Sequence, residues 1–219
     1  KEAKGGRSPG HAGCADRFHR PARRVSLPPR AARSRSWTSR RQPDVIDRVA
    51  MTSTFLITDI EGSTRLWEDH DEAMATSLEA HDRLLASVVG NAGGIVVKTT
   101  GDGLLAVFDS VSAAIGAALE GQRALAAHDW GSTGPLRVRM AIHTGAAQRR
   151  DDDYFGPVLN RVARLLAIGH GGQVLVSGAS RAFLPDARPD GYELVDRGEH
   201  RLRDLDLPER VFEIRAAGL

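Results

Sequence analysis

A single cysteine, Cys14, in 219 residues excludes an internal disulfide framework and a cysteine-built zinc cluster. The default expectation for such a chain is a reducing, cytoplasmic location. No apolar run approaches the roughly 20 residues that a membrane-crossing helix requires. No GxxxxGKS or GxxxxGKT sequence occurs, so a Walker-type phosphate loop is absent. There is no internal repeat. What remains, 41% hydrophobic and 26% charged residues, is the composition of a globular domain.

Charge is spread unevenly. The formal net charge of +2 combines a net of +9 in residues 1–50 (13 Lys plus Arg, 4 Asp plus Glu) with a net of −7 in the rest. Residues 1–50 also hold five of the ten prolines and show no apolar periodicity. Such a segment cannot bury enough surface to offset chain entropy, so it is expected to be disordered. A nucleic-acid or membrane-surface tail, a transit peptide and an extension outside the natural product compete as explanations. Met51, the first methionine, stands three residues before the first strand and favours the last of these.

From Thr54 the pattern is regular. "TFLITDI" is a β-rich apolar run, read as a buried strand. Ser63 or Thr64 is placed to cap a helix reaching about Val89, with Leu66, Met74, Leu78, Leu85 and Val89 at helical spacing, stopped by "NAGG". Two apolar segments around Gly101-Asp102-Gly103 predict a hairpin. A helix over Ser112–Ala127, a strand in "LRVRMAIHTG" and a helix in "GPVLNRVARLLAIG" follow. Strands in "QVLVS", "YELVD" and "RVFEI" and a short helix over Ala179–Leu184 complete the chain. The βαββαβ order with an antiparallel hairpin predicts an α+β, ferredoxin-like sandwich with a short C-terminal β extension.

Asp59 ends the first strand and Asp102 sits at the hairpin tip. In a ferredoxin-like sheet those two elements are neighbours, so the carboxylates can meet and attract a hard divalent cation. Taken singly, each is as well explained by a turn or a helix cap. The turn Ile60-Glu61-Gly62-Ser63-Thr64 offers backbone amides at a helix start, where phosphate is favoured. Lys98 precedes Asp102 by four residues and is expected on the same strand face. Asn160 and Arg164 lie at i and i+4, stacked on one helix face, with Asp153 ahead of that helix. They suit a pocket for a ribose and a phosphoryl group, or a merely solvated stripe.

The blocks "FLITDIEGSTRLW", "VVKTTGDGLLAVF", "RMAIHTG", "DYFGPVLNRVARL" and "GEHRLRDLDLPERVFEI" together resemble the class III nucleotidyl cyclase catalytic domain of the bacterial, mycobacterial type. They run in the family's order from about Phe55 to Ile214. The resemblance implies an adenylyl cyclase that turns ATP into 3′,5′-cyclic AMP and pyrophosphate. It assigns Asp59, Asp102 and the Ile60 backbone to a site for two divalent ions, Mg²⁺ or Mn²⁺. It assigns Lys98 and Asp153 to the base, Asn160 to the ribose, Arg164 to the transition state and the 60–64 turn to the phosphates. Arg203, or Arg201, falls where the family places a cation near the terminal phosphates. It also implies a homodimer with active sites at the interface, and no nucleic-acid partner for the folded domain. Donor and acceptor polarity supports ATP: Asp153 accepts from the adenine amine, Lys98 donates to N1, and guanine reverses both. Ala146 departs from the family, which often carries an acidic residue there. A catalytically weak cyclase-like module that binds ATP, and a nucleic-acid binder acting through the Arg-rich segment, are the competing functions. His143 is read as a structural strand histidine.

Overall fold

The computed structural model describes residues 51–185 and 191–219; the expected disordered extension over residues 1–50 lies outside the described residues. Strand β1 (Met51–Ile60) leads into helix α1 (Ser63–Asn91). The hairpin β2 (Ile95–Thr99) and β3 (Leu104–Phe108) follows, then α2 (Val111–Ala127) and β4 (Val138–Arg150). Beyond these come β5 (Asp153–Phe155), α3 (Pro157–Leu166), β6 (Val174–Ser177), α4 (Gly178–Arg181), β7 (Glu193–His200) and β8 (Glu209–Arg215). The sheet order is β2-β3-β1-β4-β6-β8-β7, with β5 paired to β4. Its first four strands form the predicted antiparallel ferredoxin-like order. Past β4 the sheet continues with β6, which joins β4 in parallel, and then with β8 and β7 as the C-terminal β extension.

Both faces of the central strands are covered, which explains why they read as unbroken apolar runs. In β3, Leu104, Ala106 and Phe108 face a core shared with α1 and α2, while Leu105 and Val107 face a second core under α3. The same alternation sends Met140 and Ile142 of β4 one way and Ala141 the other. Each large side chain buried in this manner stabilises the fold by about 1.5–3 kcal/mol. Helix α3 presents Val158, Val162, Leu165 and Leu166 to the second core. Its opposite side, carrying Asn160 and Arg164, is left for polar contacts.

Two local expectations change. Helix α1 is not capped by Ser63 or Thr64: Gly62, at φ +72°, makes the turn in a left-handed conformation, and Ser63 is already helical. The helix also breaks its geometry at His70. Lys98 and Asp102 do not share a strand face, because β2 ends at Thr99 and Asp102 lies in the turn beyond it. The charged stretch "QRRDDD" forms a strand turn. β4 runs on to Arg150, turns at Asp151 (φ +54°) and returns as β5, with Arg150 opposite Asp153.

Candidate active site

The site is built on the β1–β3–β4 edge. Asp59 is the penultimate residue of β1, and the turn carrying Asp102 is drawn against it by main-chain bonds. The Ile60 amide donates to the Asp102 carbonyl at 3.1 Å, and the Leu104 amide donates to the Thr58 hydroxyl at 3.1 Å. Only glycine permits this approach at Gly103. A Cβ there would lie 1.9 Å from the Thr58 carbonyl oxygen. The hairpin sequence Gly-Asp-Gly is therefore a packing requirement that seats Asp102 beside Asp59.

Across the strand, Asp59 and Arg139 are register partners of β1 and β4. Arg139 donates to the Asp59 carboxylate through Nε at 2.8 Å, and its Nη2 lies 2.7 Å from the same oxygen. The Asp59 carboxyl is raised above the usual carboxylate range, first by burial and then by the nearby charge of Asp102; Arg139 opposes both. Two carboxylates at a partly buried strand end, with one guanidinium already drawn to them, fit a hard divalent cation. Among the described residues, no group of three or more His, Cys, Asp or Glu converges on one point.

The turn after Asp59 is partly committed to the fold. The Ile60 amide is bonded to Asp102 and the Glu61 amide donates to the Arg137 carbonyl at 2.8 Å. These two amides are therefore not available to phosphate, a correction to the expectation for the whole 60–64 turn. Hydrogen bonding within α1 begins with the Arg65 and Leu66 amides, both to Gly62. The amides of Gly62, Ser63 and Thr64 stand ahead of it at the positive end of the helix.

Lys98 and Asp153 come together directly. The Lys98 ammonium donates to both carboxylate oxygens of Asp153, at 2.9 and 2.8 Å, and the Tyr154 amide adds a third bond to Asp153. The Asp153 carboxyl is held below its ordinary value, chiefly by the Lys98 hydrogen bond. β5 makes this pairing possible by bringing Asp153 back along the sheet.

Asn160 is exposed on α3, one turn before Arg164. Arg164 Nη2 donates to Asp204 at 2.7 Å, and Arg203 Nε lies 3.6 Å from the same oxygen. The predicted residues thus fall into three groups: Asp59 with Asp102 and the turn, Lys98 with Asp153, and Asn160 and Arg164 with Arg203. Among the described residues, no hydrogen bond or ion pair joins one group directly to another. Arg201 is exposed beyond β7.

Sequence reasoning overlooked Arg139 and Asp204. The only signal for Arg139 was an arginine alternating with apolar residues in a strand otherwise buried; nothing local marked Asp204. His143 is structural, as expected. It is 5% exposed, its Nδ1 lies 2.7 Å from the Ser177 hydroxyl, and burial with the nearby Arg161 charge lowers its pKa to about 4.

Residues 47–212 match the model of the adenylate and guanylate cyclase catalytic domain. An uncharacterized protein of Mycobacterium tuberculosis, Rv0891c, is 39% identical over 165 residues, covering 74% of this chain and 55% of its own length. The chain therefore spans about half of that curated relative. The crystal structure of an adenylate/guanylate cyclase/hydrolase from Silicibacter pomeroyi is 32% identical, with a TM-score of 0.67, over 75% of this chain and 96% of its own. A Trypanosoma brucei adenylate cyclase, solved in its monomeric state, is 27% identical with a TM-score of 0.70 over 74% of this chain and 89% of its own. No helix among the described residues is long and apolar enough to cross a membrane. With the family model covering most of the sequence and the same fold found in its solved members, the chain belongs to the class III adenylate and guanylate cyclase catalytic domain family.

Proposed function

We propose that the domain is an adenylyl cyclase, converting ATP into 3′,5′-cyclic AMP and pyrophosphate. The observation that carries the choice of ATP is the Lys98–Asp153 pair: a cationic donor and an anionic acceptor held side by side. Adenine presents an acceptor at N1 beside a donor amine, so both polarities match. Guanine would set like against like at both positions and leave buried groups unpaired. The adenylate cyclase name of the trypanosome relative supports the same reading.

In this reading Asp59, Asp102 and the Ile60 carbonyl would hold two divalent ions, Mg²⁺ or Mn²⁺. Such ions, when bound, make the ribose 3′-hydroxyl more acidic and neutralise triphosphate charge. The 3′-hydroxyl gives up its proton to solvent as its oxygen bonds to the α-phosphorus, and the bond from that phosphorus to pyrophosphate breaks, the electron pair leaving with pyrophosphate. Asn160 orients the ribose through its side-chain amide. Arg164 meets the negative charge that grows on the α-phosphoryl oxygens, an interaction stronger in the transition state than in the ground state. The amides of Gly62, Ser63 and Thr64, at the start of α1, receive phosphate oxygens, and Arg203 serves the terminal phosphates. A metal held by Asp59 would compete with Arg139 for that carboxylate.

The separation of the three groups within one chain supports a homodimer in which Asp59 and Asp102 face Lys98, Asp153, Asn160 and Arg164 of the partner subunit. The test is cyclic AMP formation from ATP by the purified chain with Mn²⁺ and then Mg²⁺, beside Asp102→Ala and a GTP control. Product from ATP that vanishes in the variant is expected. Equal turnover of GTP would overturn the base assignment, and no product from a folded dimer would overturn the enzyme reading.

A further inference from the structure

We propose that Asp204 is an intrasteric anion, which holds Arg164 and Arg203 and competes with the nucleotide's phosphates for them. This rests on the cyclase reading of Arg164. Two guanidiniums converge on one carboxylate oxygen, Oδ2, at 2.7 Å for Arg164 and 3.6 Å for Arg203. A phosphate oxygen recruits arginines in the same manner, through charge-assisted N–H donors. To reach a phosphoryl group, Arg164 has to release Asp204.

The carboxylate is delivered by a built turn. Asp204 sits at φ +59°, a left-handed conformation that Asp and Asn tolerate better than other side-chain-bearing residues. The turn is closed by the Leu205 amide on the Leu202 carbonyl at 3.2 Å. Leu202 is buried in the α3 core, and Leu205 packs against it. The side chain at position 204 therefore points at α3 from a fixed base.

A comparison within α3 shows why this pair is exchangeable. Arg161, three residues earlier, is held at 2.9 Å by Glu209, whose side chain is only 6% exposed. That pair is locked into the structure. Arg164 and Asp204 have side chains 39% and 62% exposed, so water and salt screen the contact. Two other carboxylates of the β7–β8 ribbon are matched to arginines of that same ribbon: Asp196 to Arg210, and Glu213 to Arg197. Asp204 alone of these reaches a residue assigned to the reaction.

Asp204→Asn keeps the left-handed turn and the side-chain volume but removes the charge. Initial rates of cyclic AMP formation by the full chain are to be measured across ATP concentration. Binding of inorganic triphosphate with Mn²⁺ is to be followed by calorimetry. The variant is expected to show a KM for ATP about two- to fivefold lower, kcat no lower than wild type, and triphosphate affinity raised by a similar factor. Asp196→Asn, which discharges the neighbouring Arg210 pair, should leave both unchanged. An unchanged KM overturns the proposal. A fall in kcat overturns it as well, since Asp204 would then be positioning Arg164 for catalysis. If the wild-type chain makes no cyclic nucleotide, the cyclase reading fails by itself. Triphosphate binding then still decides on Asp204: tightening supports the competition and equal affinity overturns it. Should Asp204→Asn melt more than a few degrees low, Asp204→Gly, which also suits φ +59°, replaces it in every arm.

Discussion

At the β1–β3 edge, Asp102 is delivered to Asp59 by main-chain bonds and by a glycine that allows two backbones to touch. At α3, Arg164 is held by one exposed ion pair with a turn 40 residues away in sequence. The first arrangement cannot move without breaking the sheet. The second can be exchanged at a cost of about 1 kcal/mol or less. A site that must keep two carboxylates close against their repulsion needs the stiff scaffold. A site that must hand an arginine to an incoming phosphate is better served by the soft one.

The contrast can be broken most sharply through the proposed dimer. Asp59→Ala and Arg164→Ala chains should each lose at least about a hundredfold in cyclase rate. A one-to-one mixture should recover about a quarter of wild-type activity, because heterodimers keep one intact site of two. A mixture that stays inactive while the chains dimerise would place all the residues in one subunit.

Next in size is Gly103→Ala. The added methyl collides with the Thr58 carbonyl, so the turn has to retreat from β1, at a stability loss of about 3 kcal/mol seen in thermal unfolding. Cyclase activity should fall with it. Full stability would mean that the turn is as soft as the arginine side.

Acid probes the scaffold beneath both. His143 has its folded pKa lowered to about 4 from 6.5, so the unfolded chain takes up the proton first as pH falls. Its contribution is fully present above about pH 6.5 and is lost on the way down to about pH 4, on the order of 3 kcal/mol in total. Chemical unfolding at a series of pH values should show this slope, and His143→Asn should flatten it. An unaltered slope would assign the acid sensitivity elsewhere.

The smallest effect belongs to the exposed base-reading pair. Asp153→Asn should leave the thermal unfolding midpoint essentially unchanged, because the pair is exposed and screened by solvent. The ratio of ATP to GTP turnover should nevertheless fall. An undiminished ratio would show that base selection does not pass through this carboxylate.

The elements with a strong period were legible: the buried strand in "TFLITDI", the helix that followed it, the Gly-Asp-Gly hairpin and the Asn160/Arg164 face. Their side chains announce burial locally. β5 was missed because three residues beside a charged run carry no period, and its existence depends on β4 extending to Arg150. The claim that Lys98 and Asp102 share a face failed because β2 stops at Thr99, and an apolar run does not mark where pairing gives way to the turn.

The sequence by itself determined which residue types were present and in what order, and with them the family, the strand–helix pattern and the glycines at the turns. Only the tertiary structure decided their partners. Arg139 meets Asp59 because the β1–β4 register sets them opposite one another, 80 residues apart. Asp204 meets Arg164 because the β7–β8 connection folds back over α3. Ion pairs of this kind depend on distances of a few ångströms between segments remote in the chain, and such distances are fixed by the packing of whole elements, not by any local pattern of residues.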